Sequence, residues 1–449
     1  MERTIKVILE PLQRFAMLKP NASVLLFMAT IFAMILANSP LADKYHLLLN
    51  FPINFQIGSF NFFTHHGEPM SMLAFVNDAL MAIFFFVIGL EIKQEVLIGE
   101  LSSVRKALLP VIAACGGMIV PVLFYTLICH SAPESQGAAI PMATDIAFAL
   151  AVLGLLGDRV PLSMRIFLTA LAVVDDIGGI LVIAIFYSNH IMYEPLLISL
   201  IFLAILYIGG KMKIHNRFYY YVLGFVVWML FLESGIHPTI AGVLVAFTVP
   251  ARPVVQLDRF TEQMNGLLGM LDYKEVKQSK SAEVLTNTQI QVLHNIHGLA
   301  DRTISPLQII ASKLHPLVNF VILPLFAFVN AGVTFGSIDP SSLANVPLAV
   351  VVGLFVGKTL GIFSFSYLFA LTPLASMPSG MNKSSLLGVS MLGGIGFTVA
   401  LFIANLSFDA TTATGEALLN QAKLGIFVGS FVSGLIGYLA LKWILPKKA

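Results

Sequence analysis

FLTALAVVDDIGGILVIAIFY, residues 167–187, is apolar enough to cross a bilayer, yet two adjacent carboxylates, Asp175 and Asp176, sit in its middle. The hydrocarbon core of a bilayer takes about 20 apolar residues of helix. A charge near its centre costs at least about 2.5–3.5 kcal/mol, so an ionisable residue there is a functional candidate first. Counted from the inner start of its helix, Asp175 is about 12 residues in, or about 18 Å of rise. Neighbours on a helix point about 100° apart, so the two acids do not share one proton as a dyad would. One can face water while the other faces a different partner.

The rest of the chain has the same character. Of 449 residues 57% are hydrophobic, about 256 positions, against about 240 for twelve spans of about 20 residues. Charged residues make up 11%, where a soluble domain carries about 25%, and the mean hydropathy is +0.87. Composition therefore excludes a soluble enzyme, a nucleic-acid-binding domain and a disordered chain. The two cysteines, Cys115 and Cys129, lie in one apolar stretch about 21 Å apart along a helix, too far to bridge. No CxxC metal site is present in the sequence.

Windowed apolarity predicts an all-α membrane protein with spans at 22–38, 72–91, 107–129, 137–156, 163–187, 195–210, 218–233, 237–250, 317–335, 346–370, 384–406 and 421–443. With a cytoplasmic N-terminus, every Lys and Arg of the 26 except Lys44, Lys358 and Lys423 falls on the inner side. Such a partition follows the positive-inside rule and supports both the even span count and cytoplasmic termini. The basic, mildly amphipathic start MERTIKVILEPLQRFAMLKP lacks a small-x-small cleavage site and reads as a surface helix. Three parts follow: 1–250 with eight spans, a polar and partly helical cytoplasmic linker at 251–305, and 306–449 with four spans. FPINFQIGSFNFFT (51–64) alternates apolar and polar around Gly58-Ser59, as a hairpin on the outer face would. An isolated two-stranded ribbon is only marginally stable, which points to pairing with a second copy; a simple loop is the alternative.

Two further charges reach the midplane. Asp145 lies about 9 residues from the outer end of its span, and Lys358 about 12 residues into its own. Asp78, near an outer span end, reads equally as a structurally paired acid. Around Asp145 the sequence AAIPMATDIAFAL places Pro141 inside the span, and proline removes a helix hydrogen bond. The span at 384–406 reads GVSMLGGIGFTVALF, with Gly393, Gly394 and Gly396 near mid-depth. Paired interrupted helices in the two halves of a chain point to a transporter site, where freed carbonyls and helix ends meet a cation. Close helix packing is the other use of such glycines. Burial disfavours the charged form of an acid and a nearby cation favours it. An acid so placed binds a proton or a hard monovalent cation, never both, which is enough to couple the two movements. Lys358 supplies a second exchangeable charge.

At these residues the sequence resembles the NhaA family of bacterial Na⁺/H⁺ antiporters. The resemblance runs through NDALMAIFFFVIGLEIKQE (77–95), GGMIVP (116–121), IPMATDIAFAL (140–150), FLTALAVVDDIGGILVIAIFY (167–187), SGIHPTIAGV (234–243), ILPLFAFVNAGV (322–333), VGKTLGI (356–362) and GGIGFTVALFIA (393–404). It implies inverted-topology repeats with two interrupted helices crossing at mid-membrane. It also implies electrogenic exchange of Na⁺ or Li⁺ for more than one proton by alternating access. The exchange would be activated at alkaline pH and serve sodium and pH homeostasis at the inner membrane. Asp176 would be the principal cation and proton ligand, Asp175 the second essential acid, and Lys358 the partner of Asp175 when the site is empty. Thr144 and Asp145 would lie at the crossing, where Asp145 offsets helix-end dipoles and assists binding. A homodimer through the outer hairpin is implied, with no cofactor beyond the transported ions.

Glu91, Glu95 and His315 fall where the family places pH-response residues at the cytoplasmic entrance, and His237 matches another histidine linked to that response. The chain departs from the family at Gln94, at Ala311 and Ser312, and in its longer 251–305 linker. Glu91 and Glu95 read equally as a solvated helix end, and His315 as an interfacial cap before Pro316. An intramembrane aspartyl protease, a proton-coupled symporter and a cation channel are the rival classes. Asp175 follows Ala172-Val173-Val174 where such a protease expects Gly-x-Gly. A symporter needs a larger polar pocket, and a channel has no use for a midplane lysine.

Overall fold

The computed structural model describes residues 22–58, 60–65, 68–187, 191–270, 285–334, 340–373, 377–378 and 380–446. The expected surface helix at 1–20 and the middle of the polar linker lie outside these residues. Helix α1 (Ala22–Ala37) turns by 118° into α2 (Ala42–Leu49). The chain then folds into short antiparallel pairings. Gln56 and Ile57 face Asn61 and Phe60, while the strand Glu68–Ser71 takes Pro52–Ile53 on one side and Thr64–His65 on the other. The extended segment thus reaches seven residues beyond the expected 51–64.

After this come α3 (Met72–Ile98), α4 (Val104–Ile128), a tight helical stretch Glu134–Met142, α5 (Ile146–Gly154), α6 (Leu162–Phe186), α7 (Tyr193–Lys211), α8 (Arg217–Ser234) and α9 (Pro238–Thr248). Two polar helices, α10 (Leu257–Gly269) and α11 (Asn287–Thr303), pack on each other. The last five are α12 (Pro306–Asn330), α13 (Ser342–Ala370), α14 (Lys383–Leu392), α15 (Phe397–Ser407) and α16 (Ala413–Ile444). Among the described residues seven helices, α3, α4, α6, α7, α12, α13 and α16, are long and apolar enough to cross a membrane, or ten if each of three bent pairs counts as one span. Each expected span overlaps a helix or bent pair, although α8 and the 11-residue α9 fall short of a crossing by length and composition.

The interruptions lie where proline and glycine sit, with one difference from expectation. Pro141 does not kink an α-helix. The nine residues Glu134–Met142 form a tighter 3₁₀ run, which meets α5 at 45°. On the other side, Gly393–Gly396 separates α14 from α15, at 49°. Two helices also extend further than their apolar windows. The first of these, α3, continues to Ile98, and α12 begins at Pro306, so His315 is inside a continuous helix and is not an interfacial cap. Ser305 caps that earlier start, accepting from Gln308 N at 3.3 Å.

Packing sorts the helices into two groups. Helix α4, the two interrupted pairs, α6, α13 and α16 pack chiefly among themselves, as do α3, α7, α8, α9 and α12 with α1. Close approach fixes the first group at Gly116 and Gly361. A Cβ on either would strike the other's carbonyl oxygen, so α4 and α13 touch backbone to backbone there. Arg159, at the foot of α6, donates to Lys442 O (2.7 Å), Leu445 O and Pro446 O (3.1 Å), capping the end of α16. Leu127, Phe186, Leu197 and Ile201 are exposed, as lipid-facing residues are.

Candidate functional site

Both interrupted helices break at one place, and α6 and α13 bring their charges to it. Asp175 is buried on α6, with Lys358 Nζ donating to its Oδ2 at 2.6 Å and, on its other side, to Met142 O at the end of the 3₁₀ run. Thr144 Oγ1 lies 2.6 Å from the same Oδ2 and 2.9 Å from Gly393 O; its single proton serves one at a time. Oδ1 of Asp175 is buried without a hydrogen bond. An ammonium, a carboxylate and a hydroxyl thus form one water-excluded cluster.

Asp145 works differently. Its Oδ1 accepts from Phe148 N (3.0 Å), capping α5. Its Oδ2 accepts from Thr398 N (3.1 Å) and Thr398 Oγ1 (2.6 Å), at the start of α15. Helix N-termini carry partial positive charge, so one carboxylate between two of them offsets both. The crossing is further tied by Asp145 N donating to Ile395 O at 2.6 Å.

Asp176 points elsewhere. It borders a cavity of about 250 Å³ walled by Phe84, Ile88, Glu91, Thr144, Asp145, Asn319 and Thr398 among others. Asp175 is not on that wall. Among the described residues the Asp176 carboxylate makes no hydrogen bond or ion pair, and the residue is only 6% exposed. At the far end of the cavity, Glu91 Oε1 stands 3.3 Å from His315 Nε2.

The other two regulatory candidates do not join them. Glu95 Oε2 accepts from Glu100 N (3.0 Å), securing the turn after α3. His237 sits 3.8 Å from Asp78 at the opposite end of α3, about 20 Å from Glu91 by helix rise. There His237 Nδ1 meets Thr239 Oγ1 (2.9 Å), and its ring packs edge-on against Phe402 at 5.3 Å.

Three features had no sequence signal. Thr398 holds Asp145. Ser430 on α16 accepts from Gly396 N and Phe397 N. Asn77, Asn330 and Asn405 join α3, α12 and α15: Asn330 exchanges hydrogen bonds with Asn77 (2.7 and 3.2 Å) and accepts one from Asn405 (3.0 Å). Nearby, Phe402 contacts Phe85 (5.4 Å) and Phe326 (6.3 Å). These rings and amides fill the contact between α3, α12 and α15, off the cavity wall.

The sequence model of the Na⁺/H⁺ antiporter 1 family matches residues 13–441. The chain belongs to this family. It is 79% identical over 448 residues to the Na⁺/H⁺ antiporter NhaA of Parabacteroides distasonis, covering 100% of this chain and 99% of that one. To the antiporter NhaA of Porphyromonas gingivalis strain W83 it is 51% identical, covering 99% and 98%. The NhaA of Sulfurimonas denitrificans is 40% identical over 99% of this chain and 97% of its own. A family member with these apolar helices is a multi-pass bacterial membrane protein. The match spans both interrupted helices, α6 and α13, so the whole crossing lies inside the matched residues.

Proposed function

We propose that the chain exchanges Na⁺ or Li⁺ for protons, electrogenically and by alternating access, across the bacterial inner membrane. The observation that carries this reading is Asp176: a carboxylate on a cavity wall, with no hydrogen-bond or ion-pair partner among the described residues, while its neighbours are tied up. Such a group holds a proton or a hard monovalent cation, and each expels the other. A cation on Asp176 completes its shell with Thr144, Asp145 or the free Oδ1 of Asp175. Engaging Asp175 draws it from Lys358, which then sheds a proton of its own. One cation would thus displace two protons, and the exchange would move net charge.

Glu91 and His315 form the mouth through which ions enter from the cytoplasm and where pH acts. Rings and amides around Phe402 and Asn330 form the seal that must part for release outside. Twelve spans in inverted repeats, cytoplasmic termini and the 251–305 linker on the inner side complete the arrangement, with α8 and α9 counted as crossings. Among the described residues the strand Glu68–Ser71 lies between two short strands that pair with no further strand on their outer sides, the kind of edge that pairs with a second copy in a homodimer.

Purified protein in liposomes carrying a pH-sensitive dye tests this. Na⁺ and Li⁺ are expected to dissipate an imposed pH gradient, faster at alkaline pH, and K⁺ to leave it intact. A gradient unmoved by Na⁺ between mildly acidic and alkaline pH would overturn the assignment.

A further inference from the structure

Two helices broken inside a membrane leave four backbone ends with no partner of their own, where water is scarce. Lys358 serves the first, at Met142 O. Asp145 serves the second, at Phe148 N. Thr144 reaches the third, at Gly393 O. The fourth end, the start of α15, is shared. Asp145 Oδ2 takes Thr398, and Ser430 Oγ accepts from Gly396 N at 3.3 Å and Phe397 N at 3.2 Å. Of these caps only Ser430 neither titrates nor touches the cavity, and it comes from α16, which supplies none of the proposed ion ligands.

We infer that Ser430 is a positioning residue for ion exchange, one that keeps the Asp145 carboxylate where the cavity needs it. The geometry gives the reason. Gly396 and Phe397 are buried, and Asp145 Oδ2 accepts from the next N–H along, that of Thr398, at 3.1 Å. Remove the serine oxygen and two buried donors compete for that carboxylate. It is then drawn toward α15 and off Phe148 N, which moves its charge on the cavity wall it shares with Asp176. Glycines on both helices allow this close approach. Gly429 of α16 packs on Leu354, and a side chain on Gly394 would meet both Leu354 O and Ser433 Oγ. A neutral hydroxyl accepting two N–H groups caps the helix without adding a second charge to the crossing.

This inference rests on the exchange reading above, and the proteoliposome assay separates the two. Ser430→Ala is expected to raise the apparent Na⁺ KM about five- to tenfold with the maximal rate held within about twofold, the pattern of lost ion binding rather than lost turnover. Ser430→Thr, which keeps the acceptor, should restore the KM. If Ser430→Ala fails to accumulate in membranes, Ser430→Cys, with a similar volume and a weaker acceptor, carries the same expectation. An unchanged KM in the Ala or Cys variant, or equal defects in Ala and Thr variants, would overturn the inference while leaving wild-type exchange standing. An inactive wild type would instead remove the exchange reading.

Discussion

The crevice between α3, α12 and α15 has two unlike ends. One is a cavity that runs from Asp176 to the Glu91–His315 pair, lined with groups whose charge can change. The other is filled by Phe85, Phe326 and Phe402 and tied by Asn77, Asn330 and Asn405, with the Asp78–His237 pair behind them. Helices α3, α12 and α15 contribute to both ends, and α5 and α6 add Asp145 and Asp176 to the cavity end alone. On the proposed reading, the charged end would take the ion and the neutral end would part for its release. Neutral hydrogen bonds contribute roughly 0.5–1.5 kcal/mol each. Three of them between helices are strong enough to bias a two-state equilibrium and weak enough to break once in each cycle of the proposed exchange.

Substitutions at the two ends should therefore fail in different ways. The largest effect is expected at the ion itself. Asp176→Asn should reduce Na⁺-driven proton movement to the background of empty liposomes, with melting in detergent unchanged; retained antiport would move the site elsewhere. Next comes a lock on the sealed end. With Cys115→Ser and Cys129→Ser, a short thiol cross-link between Asn330→Cys and Asn405→Cys should stop turnover, and reductant should restore it. Antiport through the cross-linked protein would show that this end never opens.

Lys358→Ala leaves Asp175 buried without its cation, a loss of about 3–5 kcal/mol for broken buried pairs. A clear drop in melting temperature is expected, and an unshifted melt would deny the pair. Smaller effects sharpen the contrast. His315→Gln at the open end should change the apparent Na⁺ affinity and its pH dependence, while Asn330→Ala at the sealed end should change the maximal rate; the reverse pattern would exchange their roles. Glu95→Gln, off the cavity wall, should alter transport by less than about twofold, as substitutions away from a site generally do.

What could be read from the chain beforehand follows from how each feature is encoded. Asp145, Asp175, Asp176 and Lys358 stand out because lipid makes a charge expensive wherever it occurs, and helix rise converts position into depth. Their partners are another matter. The hydrogen bond between Phe397 and Ser430 spans 33 residues and that between Asn77 and Asn330 spans 253, and nothing local distinguishes these residues from solvated or packing ones. His237 was grouped with Glu91 and His315 by resemblance alone, and the separation along α3 sets it apart. Pro141 marks an interruption but not its form: the 3₁₀ run at Glu134–Met142 has no local signature, and its last carbonyl meets Lys358 from a residue 216 positions away.

Arg159 carries a practical consequence. Its guanidinium straps the last turn of α16, at Lys442 and Pro446, to the foot of the helix that bears both central acids. Trimming the tail back to Leu441 would unfasten that strap without disturbing a single ion-handling group. Mechanical slack and altered chemistry could then be told apart in one comparison, and tags fused at this end belong behind a spacer.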